Sequence, residues 1–131
     1  MCLVIEVDSE MQQAPEDIIC YKILERIEDR LFTPYRRFPV DIESKILTSK
    51  GEIKKEFGSD LSREFIGQGV IHTFAYLEDV AVESLSALHY GHKYEVYECI
   101  IPKETFYYTG LAFGVPSYGS ICIKFIKRVD V

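Results

Sequence analysis

Apolar and polar residues alternate along most of this chain in the short period that is typical of β-strands. Four segments are short, rich in β-branched and aromatic residues, and bounded by turn residues. In the last of them, Ile121, Ile123 and Phe125 share one face, while Cys122 and Lys124 share the other. The pattern predicts strands over 3–7, 70–74, 93–102 and 120–129.

The segment "IICYKILERIEDRLF" carries two periodicities. With period two, Ile19, Tyr21 and Ile23 share one face, whereas with helical spacing Ile19, Ile23 and Ile27 recur every four residues. Pro15 would suit the first turn of such a helix. The β-branched and aromatic content favours a strand over 18–25, and the helix stays open as the alternative.

One stretch has clear helical spacing. From Leu77 onward, Val80, Leu85 and Leu88 fall on one face, and acidic residues lie near the start, where the helix dipole favours them. Gly91 is placed as a C-terminal stop. We therefore expect one main helix at about 77–90.

Three further segments complete the prediction. The sequence "TSKGE" between two short apolar runs predicts a hairpin with Gly51 in its turn. Residues 58–68 are expected to be loop, and so is the long, aromatic and glycine-rich stretch at 103–119. Together with a length of 131 residues, this predicts one α+β domain over 1–131, with a mostly antiparallel sheet of five to seven strands.

Composition narrows the function classes. The net charge of −6 repels phosphate backbones, so general nucleic-acid binding is not expected. The chain shows no signal-peptide pattern and no apolar run of about 20 residues, so we expect a cytoplasmic protein that does not enter membranes. The cysteines lack C-x-x-C spacing and, apart from Cys2, lie in apolar runs, which predicts buried free thiols.

Metal and cofactor motifs are absent from the sequence. His89 and His92 flank Gly91, which is poor metal geometry, and surface or capping roles suit both histidines better. The glycines form neither a dinucleotide-binding pattern nor a P-loop. We therefore predict no metal and no cofactor.

The candidate ligand contacts are charged or aromatic residues beside predicted loops. Arg36 and Arg37 offer guanidinium groups for an anion, next to Tyr35. His72 could act as a base or a polar anchor at a strand end, although a packed histidine is the alternative. The full candidate set is Tyr21, Tyr35, Arg36, Arg37, His72, Thr73, Tyr107, Tyr108 and Tyr118.

Several short fragments occur in a familiar order: "CYKIL" (20–24), "TPY" (33–35), "GVIHTF" with "LEDV" (69–80), "YECIIPKETFYY" (97–108) and "ICIKFIKRV" (121–129). This order resembles a group of small bacterial and phage domains with no assigned activity, and so implies a fold and a lineage. Val70 and Ile71 stand where that pattern has glycine and an aromatic residue, and Glu104 replaces a glycine.

The same order is similar, more remotely, to ADP-ribosyltransferase domains. That resemblance would put Lys22 near the first catalytic position, Thr73 near the second, and 117–120 just before the last strand. The arginine, S-T-S and glutamate set of those enzymes is not present, so the charge-stabilising groups of an active transferase are missing.

Three hypotheses follow. The first is a non-catalytic binding module whose partner, a protein or a small anionic ligand, meets the aromatic 106–118 loop and Arg36 and Arg37. The second is a divergent transferase-like enzyme, which predicts that Tyr21, Tyr35 and His72 line one pocket. The third is a homo-oligomer joined through a sheet edge or the same loop.

Overall fold

In a computed structural model of the chain, residues 3–6, 9–33, 38–57, 63–80 and 93–130 are described. They form one sheet of 13 strands, and every pairing in it is antiparallel. The strands are β1 (Leu3–Glu6), β2 (Gln12–Gln13), β3 (Ile18–Ile27), β4 (Arg30–Phe32), β5 (Pro39–Val40), β6 (Ile46–Thr48), β7 (Lys54–Phe57), β8 (Arg63–Gln68), β9 (Ile71–Phe74), β10 (Lys93–Ile101), β11 (Phe106–Ala112), β12 (Val115–Ser120) and β13 (Cys122–Val129). A helix, α1, spans Leu77–Asp79, and a 3₁₀ turn spans Ile42–Ser44.

The sheet is rolled, and chain connectivity shows why. Its main path runs β6-β13-β10-β3-β9-β12-β11-β1-β8-β7, so β6 and β7 lie at opposite ends of ten strands. Laid flat, those ends would be roughly 43 Å apart. Residues 49–53 alone connect β6 to β7, and so short a link reaches about 21 Å at most. The sheet must therefore curl until its two ends approach each other.

Apolar side chains fill both faces of this sheet. On one face, the long strands β3 and β10 pair through nine residues each, and Cys20 lies directly opposite Cys99 within the largest cluster. Ile23 and Val96 point to the other face, where they pack with Phe74 and Val80. A third cluster contains Leu3, Ile5, Ile66 and Tyr108. Burial on both faces explains the near-continuous apolar runs of β3 and β10.

The expected α+β fold is wrong. The described residues form a large antiparallel sheet of 13 strands rather than five to seven, and their α-helix is only Leu77–Asp79. It begins at the predicted residue, although Tyr76 provides no side-chain cap. The remainder of the predicted helix, 81–90, and its predicted stop at Gly91 lie outside the described residues.

The strand prediction at the ambiguous segment is confirmed. Residues 18–27 form β3, and the helical alternative is wrong, because nine of the ten residues of β3 pair with β10. The turn after it contains Glu28 with φ of 56°. The predicted strands at the start of the chain, around 70–74, after 93 and at the end are also present.

Three predicted connections are wrong. The runs around "TSKGE" do not form a hairpin, because β6 pairs with β13 and β7 pairs with β8. Strand β8 replaces much of the loop expected at 58–68. The loop expected at 103–119 is instead a hairpin of β11 and β12, which turns at Phe113 and Gly114. Strand β6 finds its partner far along the sequence, and the β11–β12 hairpin closes across a left-handed phenylalanine, so local spacing indicates neither pairing.

Candidate ligand-binding cavity

The sheet is split along one edge of β3. On that edge, Tyr21 pairs with Phe74 of β9, and Glu25 pairs with Phe32 of β4. The three residues between them, 22–24, have no strand partner on that edge among the described residues. Strands β9 and β4 therefore diverge from the same edge of β3 and leave a gap in the ladder.

A cavity of about 420 Å³ opens at this split. Its volume lies within the range of about 300–1,000 Å³ that small-molecule sites occupy. Segments distant in sequence contribute its walls: Lys22, Ile23, Thr33, Phe38, Pro39, Leu47, Thr48, Ser49, Lys50, Gly51, Glu52, Lys54, Gly67, Gln68, Gly69, Val70, Ile71, His72, Phe74 and Phe113.

Lys22 lies at the gap, and its side chain is buried. Its Nζ donates a hydrogen bond to the backbone carbonyl of His72 at 2.9 Å. If the β3–β9 ladder continued past Tyr21, His72 would lie opposite Ile23. The lysine amine thus bonds a strand carbonyl at the point where the ladder fails. Burial lowers the pKa of Lys22 from 10.5 to about 8, because the low-dielectric interior disfavours the ammonium form.

Glu95, a buried carboxylate on β10 beside β3, differs from Lys22 because it has charged and polar hydrogen-bond partners. Glu95 on β10 accepts hydrogen bonds from the Arg26 guanidinium and, at 2.8 Å, from the Tyr97 hydroxyl. The hydrogen bond from Arg26 holds the pKa of Glu95 below its usual value. Among the described residues, Lys22 has no comparable carboxylate in an ion pair.

His72 is fixed by its hydrogen bonding. The ring Nε2 lies 3.1 Å from the carbonyl oxygen of Ile66. A carbonyl only accepts, so Nε2 must carry the proton and donate. The His72 carbonyl meanwhile accepts from Lys22. His72 is therefore a buried, oriented part of the cavity wall.

Two phenylalanines stand at the cavity with exposed rings. Phe38 is 44% exposed and Phe113 is 43% exposed. Phe113 has a φ of 53° and is followed by Gly114 at 77°, so both turn residues of the β11–β12 hairpin are left-handed. A bulky residue in that conformation is an outlier. Strained backbone conformations of this kind cluster at active sites and ligand-binding sites.

Gly69 sets the distance between two walls. Its φ is 87°, and a Cβ added there would lie 2.4 Å from the carbonyl oxygen of Glu52. The β8–β9 turn therefore packs directly against the segment that joins β6 to β7. A larger residue would push these walls apart.

Charge gives the cavity its chemical character. Its lining includes Lys22, Lys50 and Lys54, against a single acidic residue, Glu52. This local excess of positive charge contrasts with the net charge of −6 for the chain. Positive groups gathered in a partly apolar concavity attract anions more strongly than the same groups on an open surface.

Among the described residues of the predicted candidate set, His72 lines the cavity. Thr73, its neighbour in β9, is fully buried. Tyr21 is half-buried and packs against the cluster of Ile23, Phe74, Val80 and Val96. Tyr35, Arg36 and Arg37 lie outside the described residues. Of the predicted grouping of Tyr21, Tyr35 and His72, His72 lines this cavity and Tyr21 does not.

The aromatic residues of the 106–118 segment divide between core and surface. Tyr107 and Tyr108 are buried in two different clusters, so they pack the sheet and do not form an open binding surface. Tyr118 is half-buried and packs edge-on against Tyr107, with ring centroids 5.9 Å apart. Phe113, outside the candidate set, reaches the cavity.

The cysteines fit the prediction of free thiols. Cys20 and Cys99 are buried and unbridged, and Cys122 is half-buried. Burial raises the pKa of Cys20 to about 12 and raises the pKa of Cys99 as well. Cys2 lies outside the described residues. Neither buried thiol is in a state suited to nucleophilic chemistry at neutral pH.

Comparison with known proteins adds no assignment. No protein-family model, curated protein or solved structure matches the chain. The resemblances to bacterial and phage domains and to ADP-ribosyltransferases therefore stay predictions. Within the described ranges, no helix is long and apolar enough to cross a membrane, and no group of three histidine, cysteine or acidic residues could hold a metal ion.

Proposed function

We propose that this protein is a binding module for a small organic anion, held in the cavity at the sheet split. The single observation that carries the proposal is the composition of that cavity. It has ligand-sized volume, apolar walls, and three lysines against one glutamate. Pockets of this kind bind the apolar body of a ligand through their walls and fix its orientation through a few polar groups.

The residues of the cavity wall indicate which part of a ligand each of them would contact. Phe38 and Phe113 are exposed and could cover a flat or aliphatic body. Lys50 and Lys54 are exposed, and their ammonium groups can meet an anionic group near solvent. Lys22 is the buried cation of the set. The ligand class is thus a compound with one apolar part and at least one carboxylate or phosphate.

Thermal-shift and calorimetric titration with small aromatic and aliphatic acids, each beside its neutral amide, test the proposal. Bound ligand raises apparent stability by mass action. We expect acids, and not their amides, to shift the melting temperature of the wild type. The double variant Lys50→Ala, Lys54→Ala should bind the best acid at least tenfold more weakly.

A matched control separates a site from general charge. The double variant Lys124→Ala, Lys127→Ala removes the same two charges from exposed positions of β13 that do not line the cavity. Its affinity should change less than twofold. Equal losses in both double variants, or no acid bound at millimolar concentration, would refute the proposal.

The earlier alternatives keep their own tests. A divergent transferase would show a thermal shift with NAD, and His72 in the cavity wall is the observation that favours it. An Arg36→Ala, Arg37→Ala variant tests the anion contact first expected at those residues. A homo-oligomer would show a mass that rises with concentration in sedimentation or light scattering.

We also propose a cytoplasmic location for the protein. The unbridged Cys20 and Cys99, directly opposite each other on neighbouring strands, support it. Oxidising compartments favour disulfides, whereas the cytosol keeps thiols reduced. The negative net charge supports the expectation that nucleic acids are not general partners.

A further inference from the structure

Lys22 is an unusual residue to place in a strand interior. Its side chain is 7% exposed, it lines the cavity, and its Nζ has one hydrogen-bond acceptor, the His72 carbonyl oxygen. An ammonium group has three N–H donors, and the His72 carbonyl accepts from one of them. The other two N–H groups of the protonated form do not bond to this carbonyl. A neutral amine donates once to the same carbonyl and keeps a lone pair.

We propose that the Lys22 amine is a nucleophile that captures a carbonyl compound as an imine inside the cavity. The inference rests on the proposed anion-binding function and names its substrate class: an aldehyde or ketone that also bears an acidic group. Lys50 and Lys54 would attract the acidic group, while the carbonyl carbon meets the buried amine.

The chemistry balances with these two reactants alone. The Lys22 lone pair attacks the carbonyl carbon and forms a carbinolamine, and loss of one water molecule then forms the C=N bond. The reaction needs no oxidant or reductant, and it reverses when water adds back. Desolvated lysines with a neutral amine near physiological pH are the ones that serve as Schiff-base residues.

The nearest groups are compatible with this role. Described carboxylates do not form an ion pair with Lys22, and burial dominates the lowering of its pKa. Burial holds the neighbouring Cys20 and Cys99 thiols in the protonated, uncharged form, so at neutral pH they supply no negative charge that would stabilise the Lys22 ammonium group. At pH 7, about a tenth of Lys22 would be the neutral amine, compared with roughly 0.03% for an unperturbed lysine.

Trapping with 4-formylbenzoate tests the proposal directly. This probe has an aromatic ring, a carboxylate and an aldehyde, and sodium cyanoborohydride converts its imines to stable secondary amines. Peptide mass mapping after short exposures at pH 7 should find Lys22 modified at least tenfold faster than the exposed Lys103. The rate at Lys22 should rise with pH and level off above about 8.

Two controls make failure informative. The Lys22→Arg variant keeps a cation but cannot form the imine, so the fast adduct should disappear. The probe 4-(hydroxymethyl)benzoate has the same shape without a carbonyl, so its binding reports the anion site alone. Binding of this alcohol without faster labelling at Lys22 would overturn the imine proposal and leave the binding function intact. If the alcohol does not bind and Lys22 is not labelled faster than Lys103, both the binding function and the imine proposal are overturned.

Discussion

Replacing Lys22 by methionine removes a buried amine and keeps a flexible side chain of similar length. Lowering the pKa of Lys22 from 10.5 to about 8 means that burial of its charge costs about 3 kcal/mol of folding free energy at pH 7. Losing the hydrogen bond to the His72 carbonyl costs about 1 kcal/mol in return. The variant should therefore be more stable than the wild type by about 2 kcal/mol at pH 7.

The stability difference between the wild type and the Lys22→Met variant should shrink as the pH rises. Between pH 8 and 10.5 the folded protein has released the Lys22 proton, while the unfolded chain still holds it. The unfolded state then binds more protons, so the stability of the wild type rises with pH across this window. By pH 10 the burial cost falls to about 1 kcal/mol, which the lost hydrogen bond cancels. The two proteins should then be equally stable.

Urea unfolding at pH 7 and pH 10 measures the difference, with Lys103→Met as the exposed control. That control should stay within about 0.5 kcal/mol of the wild type at both pH values. Shared titrations of tyrosine and cysteine cancel in the comparison. A Lys22→Met protein that is less stable at pH 7, or a difference that stays constant from pH 7 to pH 10, would refute the reasoning.

Other substitutions test separate parts of the structure. Phe113→Asn should stabilise the protein by about 1 kcal/mol in thermal unfolding, because asparagine tolerates the left-handed turn, yet weaken binding of the best acid; unchanged affinity would remove Phe113 from the site. Gly69→Ala should cost at least about 3 kcal/mol in urea unfolding because its Cβ overlaps the Glu52 carbonyl, whereas Gly51→Ala, with open space around it, should cost about 1 kcal/mol; similar costs would contradict the packing. Glu95→Gln should cost about 3 kcal/mol at pH 7, and the loss should shrink as pH falls below the usual carboxyl pKa of 4.5, because the lowered folded-state pKa makes the contribution of Glu95 disappear on acidification.

The local sequence pattern predicted the long strands because their burial gives either a continuous apolar run or a regular alternation of apolar and polar residues. Strand β3 is apolar on both faces and carries β-branched residues, and the final strand alternates cleanly between Ile123, Lys124 and Phe125. These signals depend only on neighbours in sequence. They do not depend on which strand lies beside which.

The connections could not be read in the same way. Gly51 resembles a hairpin turn, yet the strands before and after it lie at opposite ends of the main sheet path. One tight hairpin instead turns at Phe113 and Gly114, and phenylalanine gives no sign of a left-handed residue. Pairing between strands distant in sequence decided the first case, and a left-handed bulky residue decided the second; sequence spacing reports neither.

The cavity was hidden from the sequence for a similar reason. Its lysines come from β3, from the segment after β6 and from β7, and rolling of the sheet brings them together. One signal was available: Lys22 is a lone charge in the apolar run "IICYKIL". A charged side chain in a strand that is buried on both faces is costly unless it is paired, so it is a candidate for a functional role. His72, by contrast, was found from sequence because it is a titratable side chain in a short apolar strand.

The most direct test of the account is the pKa of Lys22 itself. NMR titration of the lysine ¹³Cε signals, with Lys22 assigned by comparison with the Lys22→Met variant, measures it in the folded protein. A buried amine at the sheet split predicts an inflection at about pH 8. An inflection near the ordinary lysine value of 10.5 would mean that the side chain is solvated, and would contradict the cavity as described.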